Sequence, residues 1–337
     1  MNIILDLLDL DKVAKIFNKK ILSQYTGVKK ISLIEIVPHK KQIWHTTYHV
    51  VFQYEVIFDF GSHSESKSLY CSAHSSEPRH LSFAANTYLW QCGLGRGQYH
   101  VARPLYYSKK YNGYFYEGVP GQSLYELVKN GERAKVLEAI VLTARWLAKL
   151  HQLKKPGLKN FNPMNSRLAT VVPGSQCVIR EITDRCPQYA PLFKQFYKIF
   201  IDKEASYLKT RPMLSLIHGD AHPDNVIVGD KGVAFIDFAD ICIADFARDL
   251  GCFSQQLDYM IGRKINDVIF ADKCKKKFIN EYCRARRIKI SAPIEERIKT
   301  YYYWTAIRTA NYFLMKDDPQ PERAKPLIEE VKKALGL

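Results

Sequence analysis

The sequence predicts an α+β protein in two parts: a β-rich N-terminal lobe over residues 1–117 and a larger, mainly helical lobe over 118–337. Three patterns carry this. Residues 49–60 alternate, with Val50, Phe52, Tyr54, Val56 and Phe58 on one side, which is the period of a half-buried strand. Beyond Gly118 the apolar spacing turns helical, and Val136, Ile140, Leu147 and Leu150 form one stripe. After Asp245 the whole remainder reads as helix.

In order, Ile4, Leu7, Leu8, Val13, Ile16 and Phe17 predict a helix from 3 to about 19. Ile31–Val37 is apolar and β-branched, a strand, with a turn at Pro38–Gln42. The alternating strand follows, turns at Gly61-Ser62 and returns over 67–73. Ser76-Glu77-Pro78 opens a helix, with proline in the first turn, that stops near Gly93. Strands are expected over 99–107 and 111–117, then helices over 122–128, 133–151 and 178–209. Met213–Ile217, Val226–Val228 and Val233–Ile236 are short apolar strands. Helices over 245–261, 264–285 and 293–316 and a tail from Pro321 complete the chain.

Of 337 residues, 47% are hydrophobic and 25% charged, which excludes a disordered chain, a collagen-like fibre and a disulfide-dense miniprotein. Lys+Arg 50 against Asp+Glu 34 gives +16. That excess suits anionic partners such as nucleotides or phosphorylated metabolites, and equally a generally basic surface. The eight cysteines show no C-x-x-C spacing, which excludes the common zinc and redox motifs and suits mostly buried thiols in a reducing compartment. Asp6, Asp9 and Asp11 crowd the N-terminus, unlike a signal peptide, and no apolar run approaches the ~20 residues of a membrane span. The expected location is cytoplasmic. Nucleic-acid binding has no zinc-finger, RNA-binding or basic-zipper signature to support it.

The chemistry concentrates in Leu214-Ser-Leu-Ile-His218-Gly219-Asp220-Ala-His222-Pro-Asp224-Asn225-Val-Ile-Val228, followed by Val233–Ile236 and Asp237-Phe238. A strand enters a tight polar loop and leaves as another strand, so that Asp220, Asn225 and Asp237 are aimed at one small region. Phosphoryl transfer needs such a set. One acid orients the attacking hydroxyl, and an amide oxygen and a carboxylate hold divalent metal on the nucleotide phosphates.

These motifs resemble the aminoglycoside phosphotransferase family, whose fold choline kinases and other small-molecule kinases share. Ala244-Asp245-Phe-Ala-Arg-Asp249-Leu250, Tyr114–Leu124 and Ala148-Lys-Leu150-His151 resemble further family segments, so the likeness spans roughly residues 50–251. The resemblance implies a bilobal, protein-kinase-like fold with ATP or GTP and Mg²⁺ between the lobes. It makes Asp220 the catalytic base and Asn225 and Asp237 the metal ligands. His218 and Asp249 would support the loop, and the backbone of Tyr116, Glu117, Gly118 and Val119 would meet the base. The implied partners are a nucleotide and a hydroxylated small molecule.

One departure stands out. The family carries a phosphate-holding lysine on the third strand, paired with a helix glutamate. Ser72 occupies the lysine position here, and 84–86 contains no acid. Lys67 lies at an odd offset, on the opposite sheet face and about 16 Å back at ~3.3 Å per residue. Apart from a misplaced register, two outcomes compete: another cation, such as Lys40 or Lys41 in the Pro38–Gln42 turn, supplies the charge, or the protein is a catalytically weak or inactive kinase-fold binding protein. Gly93-Leu-Gly95-Arg-Gly97 follows a helix, so it reads as a helix stop, and no Walker-type G-x-x-x-x-G-K-[ST] occurs. For the acceptor, Asp240, Asp245, Tyr301, Trp304, Arg308 and Tyr312 are candidates, although ordinary core packing is the simpler reading of the helical set Tyr301, Trp304, Arg308 and Tyr312.

Overall fold

A computed structural model describes residues 2–153 and 159–337, which divide into two compact units. The first holds Met1–Gly121 and Gly229–Ala239; the second holds Gln122–Val228 and Asp240–Leu337. The border falls at Gly121 rather than Glu117, and a later segment returns to the first unit. That return has a physical cause: β10 (Gly232–Phe235) pairs in parallel with β4 (Tyr99–Val101).

The first unit is built on an antiparallel sheet of order β1-β2-β3-β6-β5. Its strands are β1 (Lys30–Ile43), β2 (Tyr48–Asp59), β3 (Ser64–His74), β5 (Arg103–Ser108) and β6 (Gly113–Glu117). The alternation of β2 buries Val50, Phe52, Tyr54, Val56 and Phe58 on one face. There α1 (Leu10–Lys20) inserts Val13 and Phe17, with the Phe17 ring edge-on to Tyr54 at 5.2 Å. The predicted first helix breaks at Asp9, whose side chain accepts from Lys12 N and caps α1. On the other face α2 (Arg79–Leu89) packs Phe83 against Tyr107 and Tyr114.

Two expectations need correction here. The expected turn at Pro38–Gln42 is strand: β1 is the sheet edge, the place in a sheet where proline is tolerated. A register shift between Pro38 and Lys40 absorbs the irregularity. The expected strand 99–107 is two strands in different sheets, parted at Ala102.

The second unit is mainly helical: α3 (Leu124–Lys129), α4 (Arg133–His151), α5 (Ser175–Arg185), α6 (Ala190–Thr210), α7 (Ala247–Lys264), α8 (Val268–Arg286), α9 (Ala292–Leu314) and α10 (Pro321–Leu335). The single helix expected over 178–209 breaks at Cys186, since the residue before a proline disfavours the helical conformation. Helix α4 packs on α8, α7 on α9, and α9 on α10. Two short ladders complete the unit: β7 (Gln122–Ser123) with β9 (Val226–Gly229), and β8 (Leu214–Ile217) with β11 (Cys242–Asp245). Among the described residues no helix is long and apolar enough to cross a membrane. Six of the eight cysteines are buried, and all eight are free.

Candidate active site

In the second unit, β8 ends at Ile217 and the backbone turns sharply at Gly219, with φ +85°. A Cβ there would also collide with the Asp240 carbonyl oxygen, so the middle residue of His218-Gly219-Asp220 must be glycine. The turn is fastened to Asp249, in the first turn of α7. The His218 N–H donates to Asp249 Oδ2 at 2.7 Å and the Gly219 N–H to Oδ1 at 2.9 Å. The third partner is His151 at the end of α4, its Nε2 3.0 Å from Asp249 Oδ2. His151 Nδ1 lies 2.8 Å from the Tyr282 hydroxyl on α8.

Asp249 is fully buried. Burial alone would raise its pKa, but the His151 hydrogen bond, the nearby histidines and the Gly219 N–H hold it below the ordinary carboxylate range. Burial pushes His151 down, so the imidazole is neutral, with Nε2–H donating to Asp249 and Nδ1 accepting from Tyr282. The loop therefore hangs on a buried carboxylate oriented by a histidine.

Asp220 follows, half-exposed, with Oδ2 3.4 Å from His222 Nε2. Burial works to raise its pKa. The His222 hydrogen bond and the charges of His222, Arg308 and His218 outweigh this and depress it far below the usual value. At neutral pH it is a carboxylate, able to accept from a hydroxyl. Asn225 closes the turn, buried, and its Nδ2 donates to the Asp220 carbonyl at 3.1 Å. That bond commits the nitrogen end of the amide and leaves Oδ1 as an acceptor that could meet a metal.

In the first unit, Asp237 follows β10 at φ +60°, left-handed backbone that is uncommon outside glycine but tolerated by aspartate. It is exposed, and the Ala239 N–H donates to its Oδ1 at 3.4 Å. Such a conformation presents a carboxylate from a fixed backbone. An Asn oxygen and an Asp carboxylate are each hard oxygen donors of the kind Mg²⁺ takes, a metal that keeps most of its shell for phosphates and water. Among the described residues no three His, Cys, Asp or Glu gather into a metal site.

Ser72 is buried on β3, opposite Val51 and Tyr114. Asn86 of α2 is buried with its Oδ1 unpartnered, and no acid stands near it in α2. Lys67 bonds Glu117 at 2.7 Å, and Glu117 also accepts from Tyr25 Oη at 2.7 Å. The segment 116–119 begins inside the first unit's sheet. β6 lies between β3 and β5, so the Tyr116 and Glu117 backbones are in ladders on both sides. The Gly118 N–H goes to Ser68 O at 2.8 Å, which makes Val119 the first residue beyond this pairing. The Tyr116 ring stacks on Tyr70 at 5.5 Å.

Among the acceptor candidates, Arg308 lies where Asp220 feels its charge, stacked on Trp304 at 4.9 Å. Asp240 is half-buried, with its carbonyl held by Asn165 Nδ2 at 2.7 Å beside Gly219. The others need correction. Tyr301 and Trp304 are fully buried, because α9 is covered by α6, α7 and α10, and the Tyr301 hydroxyl donates to Glu204 at 3.2 Å. Asp245 is buried against Arg297 at 2.6 Å, and Tyr312 faces solvent. Arg79, which the sequence reading does not single out, is buried in the first turn of α2, where a cation opposes the helix dipole.

A family model described as "Phosphotransferase enzyme family" matches residues 69–283. No curated protein matches the sequence. Among solved structures, the choline kinase of Cryptosporidium parvum superposes with a TM-score of 0.63 at 11% identity, covering 97% of this chain and 96% of that one. APH(2")-IIa, in a ternary complex with streptomycin and ATP, gives 0.54 at 13% identity over 95% and 96%. Amicoumacin kinase hAmiN, in complex with AMP-PNP, Ca²⁺ and Ami, gives 0.51 at 14% over 90% of each chain. At these identities the likeness is one of fold: a mixed α+β, protein-kinase-like architecture.

Proposed function

We propose that this chain, which belongs to the phosphotransferase enzyme family, transfers the terminal phosphoryl group of ATP or GTP to a hydroxyl of a small molecule. The observation that supports this best is the loop fastened to Asp249 by two backbone N–H groups, which carries an ionised Asp220 and an anchored Asn225. In this reading Asp220 accepts a hydrogen bond from the acceptor hydroxyl and orients its oxygen toward phosphorus. Asn225 Oδ1 and Asp237 would hold Mg²⁺, which when bound offsets phosphate charge. His218 and Asp249 fix the turn, and Arg308 and Asp240 border the acceptor.

A second reading, a weakly active or inactive nucleotide-binding protein, is favoured by one specific observation: Ser72 and Asn86 stand where the family's ion pair would be. The test is γ-phosphate transfer from labelled nucleotide across hydroxylated metabolites, with and without Mg²⁺. Metal-dependent transfer to one acceptor class supports the first reading; nucleotide binding without transfer supports the second.

A further inference from the structure

The sheet register answers where a phosphate-binding charge can come from. Directly opposite residues of an antiparallel pair point to the same face. Lys40 of β1 is opposite Val51 of β2, Val51 is opposite Ser72 of β3, and Ser72 is opposite Tyr114 of β6. Lys40 thus stands in the row and on the face of Ser72, two strands or about 10 Å away. Lys41 is opposite Val50, on the other face, and is exposed. The register shift between Pro38 and Lys40 sets this choice.

A second cation faces the same row. Arg79 is 5% exposed in the first turn of α2, whose N-terminus has no side-chain cap. Its Nη2 is 2.9 Å from Glu77 Oε2 and 3.2 Å from His49 Nε2, while Nε has no partner. His49 lies opposite His74, one row beyond Ser72 on the same face. Burial and the charge of Arg79 lower the Lys40 pKa, whereas Glu77 and Asp237 raise it, so all four groups share one neighbourhood. Burial, Lys40 and Arg79 push the His49 pKa down to about 4, which leaves it neutral and able to accept from Arg79. A half-buried lysine and a buried arginine with a free N–H, at a helix N-terminus that lacks a side-chain cap, together favour an anion.

We propose that Lys40, backed by Arg79, binds the phosphates of a nucleoside di- or triphosphate, in place of the strand lysine lost at Ser72. This rests on the phosphotransferase reading and deepens it: the cation has moved along its row from the third strand to the first.

The experiment is calorimetric titration of the full chain with Mg·ADP and, separately, with adenosine. Lys40→Met, on an exposed sheet edge, should fold and weaken ADP about 10- to 100-fold, the range for losing a bond to a charged group, with adenosine unchanged. Lys41→Met should change neither. Arg79→Lys, which keeps the charge but not the fork, should weaken ADP less. Adding Ser72→Lys to Lys40→Met should restore ADP affinity. Unchanged ADP affinity in Lys40→Met, or equal loss in Lys41→Met, overturns the proposal while leaving the family reading intact. Wild-type protein that binds neither ligand overturns both.

Discussion

Replacing Asp249 with alanine removes the single acceptor on which the loop hangs. Three donors then lose their partner at once: His218 N–H at 2.7 Å, Gly219 N–H at 2.9 Å and His151 Nε2 at 3.0 Å. All three sit where solvent is excluded. An orphaned buried donor costs ~1–3 kcal/mol, so the simple sum is ~3–9 kcal/mol. Water entering the space left by the carboxylate would reduce this, toward the ~3–5 kcal/mol seen when one partner of a buried pair is removed. Asp249→Asn keeps one acceptor oxygen but turns an amide N–H₂ toward a donor, and should fall between alanine and wild type. Urea unfolding followed by tryptophan fluorescence reads this, since Trp146 and Trp304 are buried in the second unit. With m of ~2–3 kcal/mol/M, the alanine midpoint should drop by about 1–2 M. Amide exchange adds a local readout, because His218 and Gly219 should lose protection. A midpoint within ~0.2 M of wild type, with both amides still protected, would refute the assignment of Asp249 as the anchor.

Three further outcomes are expected. Asp220→Asn should keep the melting temperature and lower kcat by ~10²- to 10⁴-fold, and unchanged turnover would remove Asp220 from the mechanism. Gly219→Ala should be insoluble or lose activity, because it meets both a left-handed backbone and the Asp240 carbonyl; a soluble, active variant would contradict the close approach. The folded pKa of Asp249 is depressed, so its stabilisation is complete above the unfolded value of ~3.9 and fades as pH falls through the folded one. Asp249→Asn should therefore flatten the acid limb of a stability–pH curve, and an unaltered limb would count against it.

How far the residues alone disclose this arrangement differs from place to place. The alternation at Val50–Phe58 and the stripe Val136–Leu150 announce strand and helix because each buries one face only. The polar loop after Ile217 is legible because a tight turn between two apolar runs limits where its side chains point. β11 is not legible: Cys242–Asp245 is too short to show a period, and pairing with β8 defines it. Lys40 could not be chosen over Lys41 from sequence, since a bulge decides the parity of every residue beyond it. Tyr301 and Trp304 misled for a related reason. A helix covered on several sides shows the same aromatic spacing as one that lines a pocket.

The most direct test of the central claim is transfer of label from [γ-³²P]ATP or GTP to hydroxylated small molecules, run with wild type, Asp220→Asn and Asp237→Asn side by side. Mg²⁺-dependent labelling of an alcohol by wild type, abolished in both variants while each still melts cooperatively, is the predicted result. Labelling that persists in both variants, or that needs no divalent metal, would contradict it.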